Sequence, residues 1–335
     1  MLLLGITGSI MAFEPELDRL LHANLSYVTP VGRALSLAEI GESVNREFPG
    51  EPVVAFLPST STRFPTQVIL SRGIVSVNQY SGEILGVRAR GRSFLGFVRA
   101  LHTRLALGDV GRNILRWSAV ALMLSLASGL YLWWPAKPVR IRARWWSAGC
   151  VFDLHNAVGI WSLLPMLALA ITGIVIGFED QAAALIDKLT HASPARTDQI
   201  LTRPSSQPGS TQITPDEAVA FATAQLPGAV PYRIQMPRFG GTYVVALENS
   251  RDRVTGERNS IGIDPWSGNV LTMNLSGGLT SRERLMAVNE AIHTGTIAGV
   301  PGRVIASLVS VVLPVQFLSG VMIWMRRRKN ARLQR

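Results

Sequence analysis

Three long apolar runs interrupt the chain, Ile114 to Trp134, Ala157 to Phe178 and Val304 to Met325. A hydrocarbon layer of about 30 Å takes roughly 20 residues of helix, so each run predicts a membrane-spanning helix. Met1 to Phe13 is also apolar but too short to cross, and it lacks the basic start and small-residue cleavage site of a signal peptide; it predicts part of a helix. The two stretches between, Glu14 to Leu107 and Glu179 to Val300, are polar overall. Each begins a helix with a capping hydroxyl and a glutamate three residues on, Ser36 with Glu39 and Thr214 with Glu217, and ends it at Pro-Gly. Alternating runs follow, Thr66 to Leu70, Ile74 to Asn78 and Glu83 to Val87 in the first, Thr242 to Leu247, Ser260 to Asp264 and Asn269 to Met273 in the second. A helix on a short antiparallel sheet is expected twice. Ser193 to Gln212, rich in Pro, Ser and Thr, reads as a linker.

Composition agrees with a membrane protein: 47% of the 335 residues are hydrophobic and 16% charged, with a mean hydropathy of +0.25. The net charge of +11 does not indicate nucleic acid, because the basic residues bunch beside apolar runs, as Lys137, Arg140, Arg142 and Arg144 and as Arg326, Arg327, Arg328 and Lys329. Such clusters stay cytoplasmic. The polar stretches are then expected on the far side, the periplasm of a bacterium, and Tyr131, Trp133, Trp134, Trp145, Trp146 and Trp324 at the headgroup level. Cys150 is the sole cysteine, which excludes disulfides, thiolate zinc sites and all-cysteine iron–sulfur clusters within one chain.

The chain also resembles itself. His102 to Trp134 laid on His293 to Met325 matches His102 with His293, Gly111 with Gly302, Arg112 with Arg303, and Ser128-Gly129 with Ser319-Gly320. Met1 to Glu14 laid on Met166 to Glu179 matches Thr7-Gly8 with Thr172-Gly173 and Phe13-Glu14 with Phe178-Glu179. The expected fold is therefore an α-helical membrane protein with four transmembrane helices, the first truncated, built as a tandem duplication with two small extracytoplasmic α/β modules. The boundaries are a truncated helix at 1–13, module one at 14–91, an interfacial helix and turn at 92–113, a span at 114–134 and a cytoplasmic loop at 135–156. A third span at 157–178, module two at 179–280, a second interfacial helix and turn at 281–303, a span at 304–325 and a cytoplasmic tail at 326–335 complete it. Because His155 lies eleven residues before Met166, its counterpart is expected upstream of Met1, with both termini of the full-length protein cytoplasmic. Glu14 and Glu179 are expected to cap the outer ends of the first and third helices.

Three of the five histidines hold repeat-defined places. Around a dyad along the membrane normal, His102 and His293 face one another on the outer side, while His155 sits at the inner mouth of the third helix. Two opposed imidazoles suit a six-coordinate haem iron, and an apolar helix cleft shields a porphyrin. Arg112 and Arg303, ten residues after those histidines, suit its propionates. Histidines that only brace a helix turn, and arginines that only bind headgroups, are the competing readings. Gly108, Gly111, Gly299 and Gly302 read as turn glycines; Gly129, Gly173 and Gly320 read as sites of close helix contact.

The runs Ile6-Thr7-Gly8 to Phe13-Glu14 and Ile171 to Glu179, Leu101-His102 with Gly108 to Arg112, Leu154-His155-Asn156 with Gly159 and Trp161, and Ile292-His293-Thr294-Gly295 resemble the PepSY-associated transmembrane family over nearly the whole chain. The resemblance implies an iron-regulated, multi-pass protein of the bacterial inner membrane with two periplasmic PepSY-like modules. Some members look like haem-containing ferric-siderophore reductases. His102, His155 and His293 are then candidate ligands of one or two b-type haems, with a quinol or cytoplasmic reductase as donor, a ferric siderophore as acceptor and the lipid bilayer as surroundings. The sequence departs from the family pattern where the Trp-His-Arg-type start of the first helix is absent. No nicotinamide or flavin fingerprint, zincin motif or nucleophile constellation is present. The alternative is a non-enzymatic protein whose modules bind a periplasmic partner or peptide, regulating a protease or assisting a transporter.

Overall fold

The structure, a computed structural model, describes residues 1–59, 61–89, 93–135, 148–190, 211–237, 241–248, 258–275 and 280–333. The basic group Lys137 to Arg144, Trp145, Trp146 and most of the expected linker lie outside the described residues. The chain divides into a helical unit, 1–14, 94–185 and 286–335, and a sheet-bearing unit, 15–93 and 186–285.

The helical unit contains α1 (Leu2–Met11), α4 (Phe94–Arg104), α5 (Gly108–Trp133), α6 (Ala148–Gly177) and α10 (Gly299–Leu333), together with the end of α9 (Ser281–His293). Of these, α5, α6 and α10 are long and apolar enough to cross a membrane, and α1 is a shorter apolar helix. All three long helices outrun their apolar windows: α5 starts at Gly108 instead of Ile114, α6 at Ala148 instead of Ala157, and α10 runs from Gly299 through the basic tail. Hydropathy marks only what lipid covers, whereas the backbone ladder continues wherever nothing breaks it. The basic end of α10 also favours the negative pole of its dipole. There Arg328 lies over Trp324 and Arg327 over Phe152.

Helix α1 packs on α10, α6 on both α5 and α10, and α4 on α1 and α5. Gly5 sets the closest approach: a Cβ there would come 2.4 Å from both Pro314 Cδ and Ser310 O. Only glycine lets α1 and α10 meet at that distance. Ser9 and Ser307 hydroxyls bond at 2.7 Å along the same seam.

Glu14 and Glu179 do not end α1 and α6. They begin two further helices, α2 (Glu14–Leu21) and α7 (Glu179–Thr190), which corrects their expected role as outer caps. Carboxylates suit the positive pole of a new helix better than the negative pole of an old one. Glu14 also pairs with Arg99 of α4 at 2.5 Å.

In the sheet-bearing unit, α3 (Leu37–Glu47) and α8 (Pro215–Gln225) both open with the expected capping boxes, from Ser36 with Glu39 and Thr214 with Glu217. The strands are β1 (Ala55–Leu57), β2 (Thr66–Ile69), β3 (Gly73–Val77), β4 (Ile84–Ala89), β5 (Val230–Gln235), β6 (Tyr243–Glu248), β7 (Arg258–Ile263) and β8 (Val270–Asn274). They form one sheet in the order β4-β3-β2-β1-β5-β6-β7-β8, not two separate small sheets. The join is β1 against β5, antiparallel, with Ala55 opposite Gln235 and Phe56 opposite Ile234. Pairing these central strands removes two open edges.

A shared core runs beneath both helices. Ile40 and Val44 of α3 and Ala218 and Ala222 of α8 are buried against Phe56, Val68, Val75, Ile234, Val245 and Ile261, at the three-to-four-residue spacing that puts side chains on one helix face. Gly41 lets the Phe56 ring approach, its would-be Cβ lying 3.3 Å from Phe56 Cζ. Asp216, near the start of α8, reaches the other helix: its two carboxylate oxygens accept from the amides of Leu37 at 2.8 Å and Ala38 at 2.9 Å. One charged side chain thereby satisfies two orphan donors of α3.

Tyr243 is buried and donates its hydroxyl to Ile213 O at 2.9 Å. Burial, then the carboxylates of Glu217 and Asp216, push its phenol from 10.0 up to about 12.

Asp216→Ala is expected to cost the sheet-bearing unit about 1–2 kcal/mol, read as faster hydrogen exchange at Leu37 and Ala38. Unchanged protection there would exclude the cap. For Tyr243 the unfolded phenol ionises first, so stability falls as pH rises from about 10 to about 12. Tyr243→Phe is expected to lower stability by about 1 kcal/mol at neutral pH and to flatten that alkaline slope in thermal unfolding.

Candidate functional site

The three repeat-defined histidines are held in the same way. A hydroxyl residue inside a helix first bonds the carbonyl one turn back: Thr7 to Leu3 O at 2.6 Å, Thr172 to Ala168 O at 2.7 Å, Ser319 to Val315 O at 2.7 Å. The same oxygens then meet an imidazole Nδ1: Thr7 with His102 at 2.9 Å, Thr172 with His293 at 2.9 Å, Ser319 with His155 at 2.8 Å.

This double contact favours one tautomer. With the single hydroxyl hydrogen toward the carbonyl, which only accepts, the hydroxyl oxygen is left as an acceptor for a ring hydrogen on Nδ1. The other tautomer gives up the hydroxyl–carbonyl bond. In the favoured neutral ring Nε2 then holds a lone pair.

A glycine follows each hydroxyl and makes room for the ring. A Cβ would come 3.1 Å from His102 Cε1 at Gly8, 3.4 Å from His293 Cε1 at Gly173 and 3.4 Å from His155 Cε1 at Gly320. The glycines expected as plain helix contacts at 173 and 320 are thus ring seats. Asn289 adds a bond from Nδ2 to Thr172 O at 3.3 Å, and Gln316 one from Nε2 to His155 O at 3.0 Å.

His102, in the last turn of α4, and His293, at the end of α9, share one electrostatic neighbourhood. Burial, then the charge of a protonated His293, and to a smaller extent Arg99, together lower the His102 pKa from 6.5 to about 4, against a backbone hydrogen bond to Leu4 that acts the other way. Burial likewise pushes His293 below the usual imidazole range. Both rings are therefore neutral near pH 7, the form that binds a metal.

His155 belongs to another level. It precedes Thr172 by seventeen residues on α6, roughly 25 Å along a helix. There it lines an apolar cavity of about 390 Å³ with Asn156, Gly159, Met166, Gln316, Gly320, Trp133 and Gly129.

Of the two arginines, Arg303 donates from Nε to Ala12 O at 2.7 Å and stacks over Phe13 at 5.0 Å. Arg112 is exposed on the first turn of α5. The structure does not bring Arg112 and Arg303 to the imidazoles by any contact it describes. Sequence reasoning matched Thr7 with Thr172 and Ser319 with Ser128 across the repeat without giving them a role at the histidines, and it passed over Gln316. The signal for the first three was the recurring hydroxyl-Gly dipeptide one helix away from each histidine. Among the described residues no group of three or more His, Cys, Asp or Glu is placed to hold a bare metal ion.

Thr172→Val keeps the shape and removes the acceptor. It is expected to take the hydroxyl acceptor from the His293 Nδ1 hydrogen, leaving the Leu169 backbone contact, at a cost of about 1 kcal/mol, and to convert a single imidazole tautomer into a mixture in nitrogen NMR spectra. Thr172→Ser is expected to restore both. A tautomer unchanged by Thr172→Val would exclude the hydroxyl as its cause.

The sequence model of the PepSY-associated TM region matches residues 1–327. No curated protein matches the chain. The chain belongs to the PepSY-associated transmembrane family.

Proposed function

We propose that this PepSY-associated membrane protein is a haem protein that carries electrons from an inner donor, a quinol or a cytoplasmic reductase, to a ferric siderophore on the outer side, releasing iron. The observation that carries the reading is that three half-buried histidines each turn Nδ1 to a back-bonded hydroxyl, with no protein partner described for Nε2. An imidazole with Nδ1 tied to a hydrogen-bond acceptor and Nε2 available would suit haem iron, which these histidines would hold. His102 and His293 are the pair we assign to one shared group, since the charge of a protonated His293 reaches His102. His155 is the candidate at the inner level.

Haem, when bound, supplies one-electron redox chemistry. The chain's own residues hold and orient. Thr7 and Thr172 fix the ring planes of His102 and His293, Gly8 and Gly173 leave space beside them, and burial keeps both imidazoles neutral. Asn289 ties α9 to α6 next to His293. Arg303 is engaged with the end of α1, so it closes that helix end in our reading and is a weaker candidate for a propionate than the sequence suggested. Arg112, exposed at the membrane boundary, remains the candidate for one.

We further read the chain as a tandem duplication with four membrane helices. Support comes from the equivalent Thr–His bonds at 2.9 Å, the equivalent capping boxes and a sheet whose hairpins descend in sequence toward one edge and ascend toward the other. In that arrangement the sheet-bearing unit is periplasmic and the basic end of α10 cytoplasmic, in the bacterial inner membrane.

Protein purified from haem-replete cells is expected to show a Soret band that shifts on adding dithionite. His102→Ala and His293→Ala should each lose the outer haem signal while far-UV circular dichroism is retained. Colourless wild-type protein would overturn the proposal and favour the partner-binding role.

A further inference from the structure

Two arginines occupy matching places in different states. Arg303 lies over Phe13 at 5.0 Å and donates from Nε to Ala12 O at 2.7 Å. Phe178 aligns with Phe13 and Gly177 with Ala12, and over Phe178, at 5.1 Å, lies Arg116 of α5. Arg112, which aligns with Arg303, is not the residue on that ring. Arg116 aligns instead with Ser307, whose hydroxyl bonds Ser9 of α1, so it holds a position on a helix seam. There a Cβ on Gly177 would come 3.0 Å from Arg116 Cβ. The likeness stops at the hydrogen bond. Arg116 Nε is shielded from solvent and has no partner, and among the described residues Arg116 forms no ion pair.

Arg112 stands four residues earlier, one turn along on the same side of α5, and is exposed. Like charges at that spacing repel, and Asp109, the acidic residue of the first turn, pairs with neither. Arg116 lies inside the apolar run Ile114 to Trp134, where a cation without a counter-charge is costly. Trp117 is exposed and meets the same Phe178 ring edge-on at 5.6 Å, as an indole at headgroup level does.

We infer that Arg116, with Arg112 beside it, binds the phosphate of an anionic phospholipid at this end of α5, the outer leaflet in the orientation proposed above. Stacking on Phe178 holds the planar guanidinium, so its fork is oriented before the anion arrives. The phosphate gives Arg116 the acceptor it lacks and gives both arginines a counter-charge. Two cations favour a headgroup of net negative charge over a zwitterionic one. A lipid suits the place better than a free anion, because its acyl chains lie along the exposed apolar flank formed by Ile114, Trp117 and Leu124.

The detergent-solubilised full chain, stripped of lipid, is titrated with phosphatidylglycerol, and bound lipid is counted by native mass spectrometry. One tightly held phosphatidylglycerol is expected, with phosphatidylcholine about fivefold weaker and diacylglycerol, which has the chains without the phosphate, not retained. Arg116→Gln should weaken phosphatidylglycerol about tenfold. Arg116→Lys, which keeps the charge and loses the fork, should weaken it by less. Arg104→Gln, at an exposed cation of α4, should leave it unchanged. Circular dichroism checks the fold of each variant, and the comparison of lipids on the unaltered protein stands even where a variant fails to fold. Undiminished binding by folded Arg116→Gln, an equal loss in Arg104→Gln, or retention of diacylglycerol as tight as phosphatidylglycerol would each overturn the site. Displacement of the lipid by millimolar inorganic phosphate would overturn the lipid and assign the arginines to a free anion. Haem registers as a separate mass in the same spectra, so failure of this proposal and failure of the haem proposal are told apart.

Discussion

A hydroxyl one turn back-bonded inside an apolar helix is the contact on which the membrane part of this molecule turns. In lipid, a buried polar group without a partner is costly, and an imidazole brought against a helix needs an acceptor for its ring hydrogen. Thr7, Thr172 and Ser319 supply one without breaking their own helices, because the backbone carbonyl one turn earlier takes the hydroxyl hydrogen. The neighbouring glycine decides whether the ring can come close enough for the bond. Each contact therefore ties two elements together, α4 to α1, the end of α9 to α6, and α6 to α10, and fixes the chemical face of the histidine as well.

The glycines divide by physical role. Gly5 allows α1 and α10 to touch along their backbones, a packing role that needs only the absence of a side chain. Gly8, Gly173 and Gly320 instead clear space for a ring. Gly108 and Gly299 adopt positive φ where α5 and α10 begin, and Leu105 and Ala106 do so without the help of being glycine, at φ 51° and 55°. Placing two side-chain-bearing residues in that region costs energy that the helices on either side must offset.

The sheet-bearing unit solves a different problem. Two small helix-on-sheet modules, each with a modest core, would be marginal alone. Joined through β1 and β5 they share one buried layer, and Asp216 couples the helices above it. The cap is one-sided: the position aligned with Asp216 is Ala38, whose amide Asp216 itself receives. One helix start offers the charge and the other offers the unpaired amides.

Local pattern sufficed for the apolar helices, the two capping boxes and six of the eight strands, since each depends on residues within a few positions of one another. It also singled out His102, His155 and His293. It could not reveal β1 and β5, because a three-residue strand and a strand carrying Pro231 acquire their pairing from a segment far along the chain. Nor could it show what the histidines touch. The partners of His102, His293 and His155 lie 95, 121 and 164 residues away, and Arg303 is committed to Ala12 rather than left at the membrane surface. Helix length, caps and alternation are written in neighbouring residues, whereas which nitrogen of an imidazole keeps its lone pair is decided only when another helix places an oxygen beside the ring.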